Sequence, residues 1–284
     1  MGGIYWLASY PKSGNTWFRS FLYNLQQNGD LPADINELST GSIASGRGWL
    51  DEVLGFDTAE LHPDEVDRLR PAVYRWSLQD KETGYHKIHD AYTTTPDGEP
   101  LVSREGTLGA LYIIRNPLDV APSLASHNHS TLDVAIQAMG DPRHAISRST
   151  KALPDQVRQK QLTWSEHVLS WVDAPGLKRC VIRYEDMLAE PTRTFTQAAE
   201  FLQLPTEPER IDKAIRFSDF KVLSQQETDK GFEERPVKAE RFFRQGQSGG
   251  WRDQLSPDQV QRIVADHADV MQRFGYLDDM GQPI

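Results

Sequence analysis

One cysteine in 284 residues, Cys180, leaves no disulfide framework and no cysteine-built metal cluster, and a lone thiol suits a reducing, cytoplasmic setting. Basic residues are in deficit: 31 Lys and Arg against 41 Asp and Glu give a formal net charge of −10. That balance argues against a nucleic-acid surface, so an anionic ligand needs a local basic cluster acting against the field of the whole molecule. No apolar run reaches the length of a membrane span, and no basic stretch of a secretory signal precedes the first apolar segment. Met1-Gly2 opens like a myristoylation site, but Trp6 stands where that motif needs Ser or Thr. Repeats and biased tracts are absent, and the expectation is one globular domain over residues 1–284.

What is present centres on residues 4–25. Ile4 to Tyr10 reads as a buried strand that Pro11 stops; Trp17, Phe18, Phe21, Leu22 and Leu25 then follow at helical spacing. Between them Lys12-Ser13-Gly14-Asn15-Thr16 falls where the first turn of a helix leaves N–H groups unpaired. Those N–H groups, the positive helix end, a lysine and two hydroxyls make a site for phosphate or sulfate. The plainer alternative is a helix capped by Ser13 or Asn15, with Lys12 in solvent. A Walker loop has Gly, four residues and Gly-Lys-Ser/Thr; here Ser9 holds the first position and the lysine precedes the glycine. The loop is therefore P-loop-like but shorter, with no visible magnesium site.

Further along, residues 29–80 read as loops and short helices with one helix from Pro63 to about Ser77, and Trp49, Phe56 and Trp76 read as packing. Gly84–His89 is a strand, Leu108–Ile114 a central strand and Leu118 to about His127 a helix opened by Pro117. Residues 128–154 read as a polar excursion. One long helix is expected from Asp155 through Trp164, Val168 and Val172, then a strand at 178–184 and a helix around Phe195 to Leu202. Residues 228–250 read as a flexible charged segment, and a patterned helix covers Val260 to Phe274. Strands alternating with helices predict an α/β fold with a central parallel sheet flanked by helices. In such sheets ligands bind beyond the carboxyl ends of the strands, where Lys12, His89, Arg115 and Tyr184 all stand.

These residues also carry a family resemblance. Tyr10-Pro11-Lys12-Ser13-Gly14-Asn15-Thr16-Trp17 resembles the 5′-phosphosulfate loop of cytosolic-type sulfotransferases, which use 3′-phosphoadenosine 5′-phosphosulfate (PAPS). Arg115-Asn116-Pro117 through Ser123 resembles their 3′-phosphate motif, and Arg183-Tyr184-Glu185-Asp186-Met187 their strand-end tyrosine segment. Phe242-Phe243-Arg244-Gln245-Gly246 with Gly249-Gly250-Trp251-Arg252 is similar to their C-terminal loop. The resemblance implies that Lys12, Ser13, Gly14, Asn15 and Thr16 hold the 5′ end, and that Arg115, Ser123 and Arg244, with Gln245 and Gly246, grip the 3′-phosphate. Trp17, Tyr184, Ser218 and Phe220 would meet adenine, although periodicity alone serves Trp17 equally well as a core residue. Gln245 stands where the family has lysine and Gly250 where it has aspartate. The family's C-terminal dimerisation pattern has no counterpart in 256–284, which leaves the oligomeric state open.

Lys87-Ile88-His89 is similar to the family's Lys-Thr-His segment, which implies catalytic roles for His89 as base and for Lys87 at the transferring sulfuryl group, while the resemblance of the 5′-phosphosulfate loop implies that Lys12 offsets charge on the leaving phosphate oxygen. Lys87 and His89 share one face of a strand and His86 points to the other. His127 and His129 lack a third ligand at metal spacing, and no metal is expected. The implied reaction moves a sulfuryl group from PAPS to a hydroxyl of a small-molecule acceptor, leaving 3′-phosphoadenosine 5′-phosphate (PAP). Two other readings stand beside it: a P-loop kinase using ATP, and a catalytically silent nucleotide-binding protein of the same fold. Residues 29–80, 128–154 and 228–250 are expected to cover substrate and cofactor.

Overall fold

The computed structural model describes residues 2–38, 41–76, 79, 82–149, 153–236 and 239–284. Its chain forms two compact units. The first takes residues 1–10, 41–112 and 141–181, the second 11–40, 113–140 and 182–284.

The opening strand β1 (Gly3–Ser9) is buried along its whole length, as its unbroken run of apolar residues requires of a strand covered on both faces. Helix α1 (Asn15–Gln27) buries Phe18, Phe21, Leu22 and Leu25 on one face. Helices α2 (Arg47–Leu54) and α3 (Pro63–Trp76) follow, then β2 (Thr83–Ile88) and β3 (Thr107–Ile114). Pro117 opens α4 (Pro117–His127), with the Asn116 side chain accepting from the Leu118 N–H. Next come α5 (Leu132–Met139), β4 (Ala145–Ile146), β5 (Gln159–Lys160), α6 (Trp164–Val172) and β6 (Arg179–Arg183). The chain ends in α7 (Tyr184–Ala189), α8 (Pro191–Phe201), α9 (Pro208–Phe217), α10 (Phe220–Lys230) and α11 (Pro257–Arg273).

The central sheet is parallel, flanked by helices, in the order β2-β1-β3-β6, and β1 runs in register with β2 from Gly3 opposite Thr83 to Ala8 opposite Ile88. The expected α/β class is thus the observed one. Among the described residues no helix is long and apolar enough to cross a membrane.

Several expected elements differ. The long helix from Asp155 is in fact an extended stretch followed by α6: Gln159 and Lys160 pair antiparallel with Ile146 and Ala145, and Leu162 has φ +57°. The apolar spacing counts straight across that turn. The start of the helix is instead written in Thr163 and Glu166, which form a reciprocal capping box. Residues 132–139 of the expected polar excursion are helical, begun by the Thr131 cap, while 150–152 lie outside the described residues. Helix α10 runs into the segment read as flexible, and Gly250–Asp253 closes it with a 3-10 turn; 237–238 lie outside the described residues. Phe56 and Trp76, read as packing, are 47% and 56% exposed, and Ser77, the expected helix end, also lies outside the described residues.

Candidate functional site

In the second unit, the turn after β1 is shaped by two left-handed residues, Lys12 at φ 67° and Gly14 at φ 102°. A curl of this kind gathers backbone N–H groups toward one point. Gly14 is the N-cap of α1, and no side chain caps that end; no acidic residue sits in the first turn. The alternative of a helix capped by Ser13 or Asn15 is therefore not what forms. Ser13 is 1% exposed, and its Oγ has no hydrogen-bond partner among the described residues. A buried hydroxyl beside a helix start with no side-chain cap among the described residues can receive an anion. Lys12 is half-buried, and its Nζ lies 4.0 Å from the centre of the Phe242 ring and 3.5 Å from His127 Nδ1.

Arg115, the residue after β3, reaches this turn. Its Nη1 donates to the Lys12 carbonyl at 2.9 Å, its Nη2 to the Gln247 carbonyl at 3.3 Å, and its guanidinium lies 4.3 Å from the centre of the Tyr184 ring. Tyr184, the residue after β6, also closes on Gly14 so tightly that an added Cβ there would stand 2.7 Å from its ring. Burial pushes the Tyr184 hydroxyl up in pKa, against the downward pull of Arg115. Three strand-end residues expected from separate motifs, Lys12, Arg115 and Tyr184, thus meet. Trp17 is half-buried, edge-on to Tyr184 at 5.6 Å and to Phe195 at 5.5 Å, so it belongs to the aromatic packing and touches Tyr184 at once. Asn15 and Thr16 are buried in the first turn of α1.

The remaining candidates of this unit divide. Ser123 lies half-buried two turns into α4, and Arg244 and Gln245 are exposed on the C-terminal loop. Gly246, at φ 60°, lies against the Phe220 ring, leaving no room for a Cβ. Ser218 is fully buried, and its hydroxyl donates to the Ala214 carbonyl at 2.8 Å, finishing α9. Sequence reasoning missed Asp119. From the first turn of α4 its carboxylate accepts from Gly249 N at 2.7 Å and Trp251 N at 3.0 Å, fastening the C-terminal loop. The signal was there, an acidic residue inside the Arg115–Ser123 motif, but local sequence does not name a partner 132 residues away.

The candidate base belongs to the first unit. His89 follows β2 directly, and its Nδ1 lies 2.8 Å from the Ser9 carbonyl. A carbonyl only accepts, so Nδ1 carries the proton of the neutral ring and Nε2 is the basic nitrogen. Lys87 stands opposite Leu7 in the sheet. His86, on the other face, stacks on Trp49 at 4.6 Å with its Nδ1 2.9 Å from the Ser42 carbonyl, and burial pushes its pKa down.

Residues 4–275 match the family described as the sulfotransferase domain. Cytosolic sulfotransferase 8 of Arabidopsis thaliana is 24% identical over 265 residues, covering 90% of this chain and 73% of the relative. Flavonol 3-sulfotransferase of Flaveria bidentis is 22% identical over 270 residues, covering 90% and 78%. Among solved structures, a mouse sulfotransferase complexed with PAP has a TM-score of 0.61 at 18% identity, covering 98% of this chain and 86% of that one. Retinol dehydratase in complex with androsterone and PAP has a TM-score of 0.59, also at 18% identity, covering 95% and 80%. At these identities the structural likeness is one of fold.

Proposed function

The chain belongs to the sulfotransferase family, and from that premise we propose that it moves a sulfuryl group from PAPS to a hydroxyl of a small-molecule acceptor, with His89 as the base. The observation that carries the reading is the start of α1, without a side-chain cap among the described residues and with Arg115 bonded to the Lys12 carbonyl beside it, because two cationic residues and a set of N–H donors that neighbour one another suit an anion.

The residues present fit the two charged ends of PAPS. Lys12, the buried Ser13 hydroxyl and the N–H groups through Thr16 suit the 5′ phosphosulfate. Arg115, with Ser123 and Arg244, suits the 3′-phosphate, where a guanidinium fork is the natural partner. With the Ser218 hydroxyl committed to its own helix, adenine recognition falls to Trp17, Tyr184 and Phe220. PAPS supplies the sulfuryl group; as the acceptor oxygen bonds to sulfur, the bond from sulfur to the bridging phosphate oxygen breaks. His89 Nε2 takes the acceptor's hydroxyl proton, near neutral pH and in the tautomer that Ser9 selects. Lys12 offsets the charge gathering on the leaving oxygen, and Lys87 is assigned to the transferring group.

His89→Ala is expected to bind PAP as the unaltered protein does while turnover falls at least about 100-fold. Retained turnover would remove His89 from the role. Calorimetric titration with PAP and with ATP, each with and without magnesium, separates this reading from an ATP-dependent kinase. Tight ATP binding that depends on magnesium, with no preference for a 3′-phosphate, would overturn it. PAP released from PAPS on adding a hydroxyl acceptor separates it from a silent nucleotide binder.

A further inference from the structure

Resting on the assignment of His89 as base, we propose that His167 of α6 is a positioning residue: as a neutral imidazole it holds the backbone of His89 and so sets where the base stands.

His167 Nε2 lies 3.1 Å from the His89 carbonyl, and its Nδ1 lies 2.9 Å from the Tyr112 hydroxyl. The carbonyl only accepts, so Nε2 carries the proton, Nδ1 offers its lone pair and the Tyr112 hydroxyl donates to it. One tautomer satisfies both ends. His167 is fully buried and Tyr112 is 1% exposed, and burial pushes the His167 pKa down to about 4, which keeps the ring neutral at physiological pH. Tyr10 packs edge-on against the ring at 5.3 Å, which restrains its orientation.

The hold is shared with Gln161, which precedes α6, and with neighbours on one face of that helix. Gln161 Nε2 donates to the same His89 carbonyl at 2.7 Å, filling its second lone pair. Trp171 Nε1 donates to the Asp90 carbonyl at 2.9 Å, and Ser170 Oγ accepts from Tyr92 N at 2.9 Å. Positions 167, 170 and 171 lie together at i, i+3 and i+4, so this face of the helix is spent on the turn 89–92. The Asp90 side chain is gripped by Arg70 through Nη1 at 3.0 Å and Nη2 at 2.6 Å. The His89 ring is meanwhile tied to Ser9 through Nδ1. Ring and main chain are thus fixed from opposite ends, and Nε2 is the atom so aimed. His167 touches neither substrate nor donor in this account; it acts through His89.

The test measures kcat, KM for PAPS and PAP-binding sites for His167→Leu and His167→Gln, with kcat normalised to binding sites so that unfolded protein does not count. Leucine removes the donor; glutamine keeps an Nε2–H donor at a similar reach. His167→Leu is expected to lower kcat about 10- to 100-fold, the scale of a misplaced catalytic group, with KM for PAPS within about twofold, and His167→Gln to recover most of the loss. Should His167→Leu fail to fold, Tyr112→Phe takes its place: it keeps the ring, removes the hydroxyl that selects the tautomer, and is expected to lower kcat while PAP binding holds. Imidazole nitrogen shifts of the unaltered protein are expected to show the Nε2–H form of His167. Unchanged kcat in a folded His167→Leu or Tyr112→Phe, or an Nδ1–H tautomer, would overturn the inference. Failure of the unaltered protein to turn over PAPS would overturn the function beneath it, a result the variants cannot mimic.

Discussion

Gly14 illustrates how much rests on single positions. Its φ of 102° lies where L side chains are strained, and the Tyr184 ring occupies the space a Cβ needs. Gly14→Ala therefore forces either the turn or the tyrosine to shift, at a cost of about 1–3 kcal/mol. Affinity for PAP is expected to fall about 10- to 100-fold with the melting temperature changed by only a few degrees, read by calorimetry and thermal unfolding. Unaltered PAP affinity in that variant would show that the curl is not what binds. Lys12, also left-handed, could be put forward from sequence as an anion ligand because it stands beside a helix start. That its ammonium lies on the Phe242 face could not, since nothing near Lys12 in sequence marks residue 242.

At the scale of elements, α4 joins the two halves of the expected 3′-phosphate grip. Its first turn carries Asp119, whose carboxylate takes two backbone N–H groups of the C-terminal loop, while Arg115 just before it takes the Gln247 carbonyl. Charge-assisted hydrogen bonds of this kind contribute about 1.5–3 kcal/mol each. Asp119→Ala is expected to loosen residues 244–251, speeding proteolytic cleavage there and weakening PAP binding about tenfold or more, with α11 and the sheet still protected from hydrogen exchange. Cleavage no faster than in the unaltered protein would deny Asp119 this fastening role. Much of the element pattern was legible: β1, α1, β3, α4 and α11 fall within a few residues of where periodicity and proline put them. The failures share a cause. Around Asp155–Val172 apolar residues at three- and four-residue steps continue through a strand pairing and a turn, and only Thr163 with Glu166 says where the helix begins.

For the molecule as a whole, two buried histidines, His167 and His267, set a pH dependence. Burial pushes both pKa values down to about 4 from an ordinary 6.5. Above that ordinary value both are neutral folded or unfolded and add no pH dependence. As pH falls from 6.5 toward 4, the unfolded chain takes up protons that the folded one refuses, so stability is lost across that window, by up to about 3 kcal/mol for each group. Urea unfolding at a series of pH values is expected to show this decline, and His267→Leu to reduce its slope by about one proton. A flat unfolding midpoint between pH 6.5 and 4 would contradict it. The same scale carries the molecule's electrostatics: with a net charge of −10, the anion binding proposed above works against the field of the whole molecule and rests on Lys12, Arg115 and nearby N–H dipoles.

By itself the sequence determined the alternation of strands and helices, the order of the four motifs, and the chemistry available at each strand end, because those depend on residue type and short spacing. Tertiary structure alone decided which of these residues meet. It seated Asp119 on a loop 132 residues away, turned the Ser218 hydroxyl into its own helix, and brought His167 to the carbonyl of His89 across 78 residues. Such pairings are fixed by how whole faces pack and by which buried polar groups must find a partner, and neither is written in the spacing of neighbours along the chain.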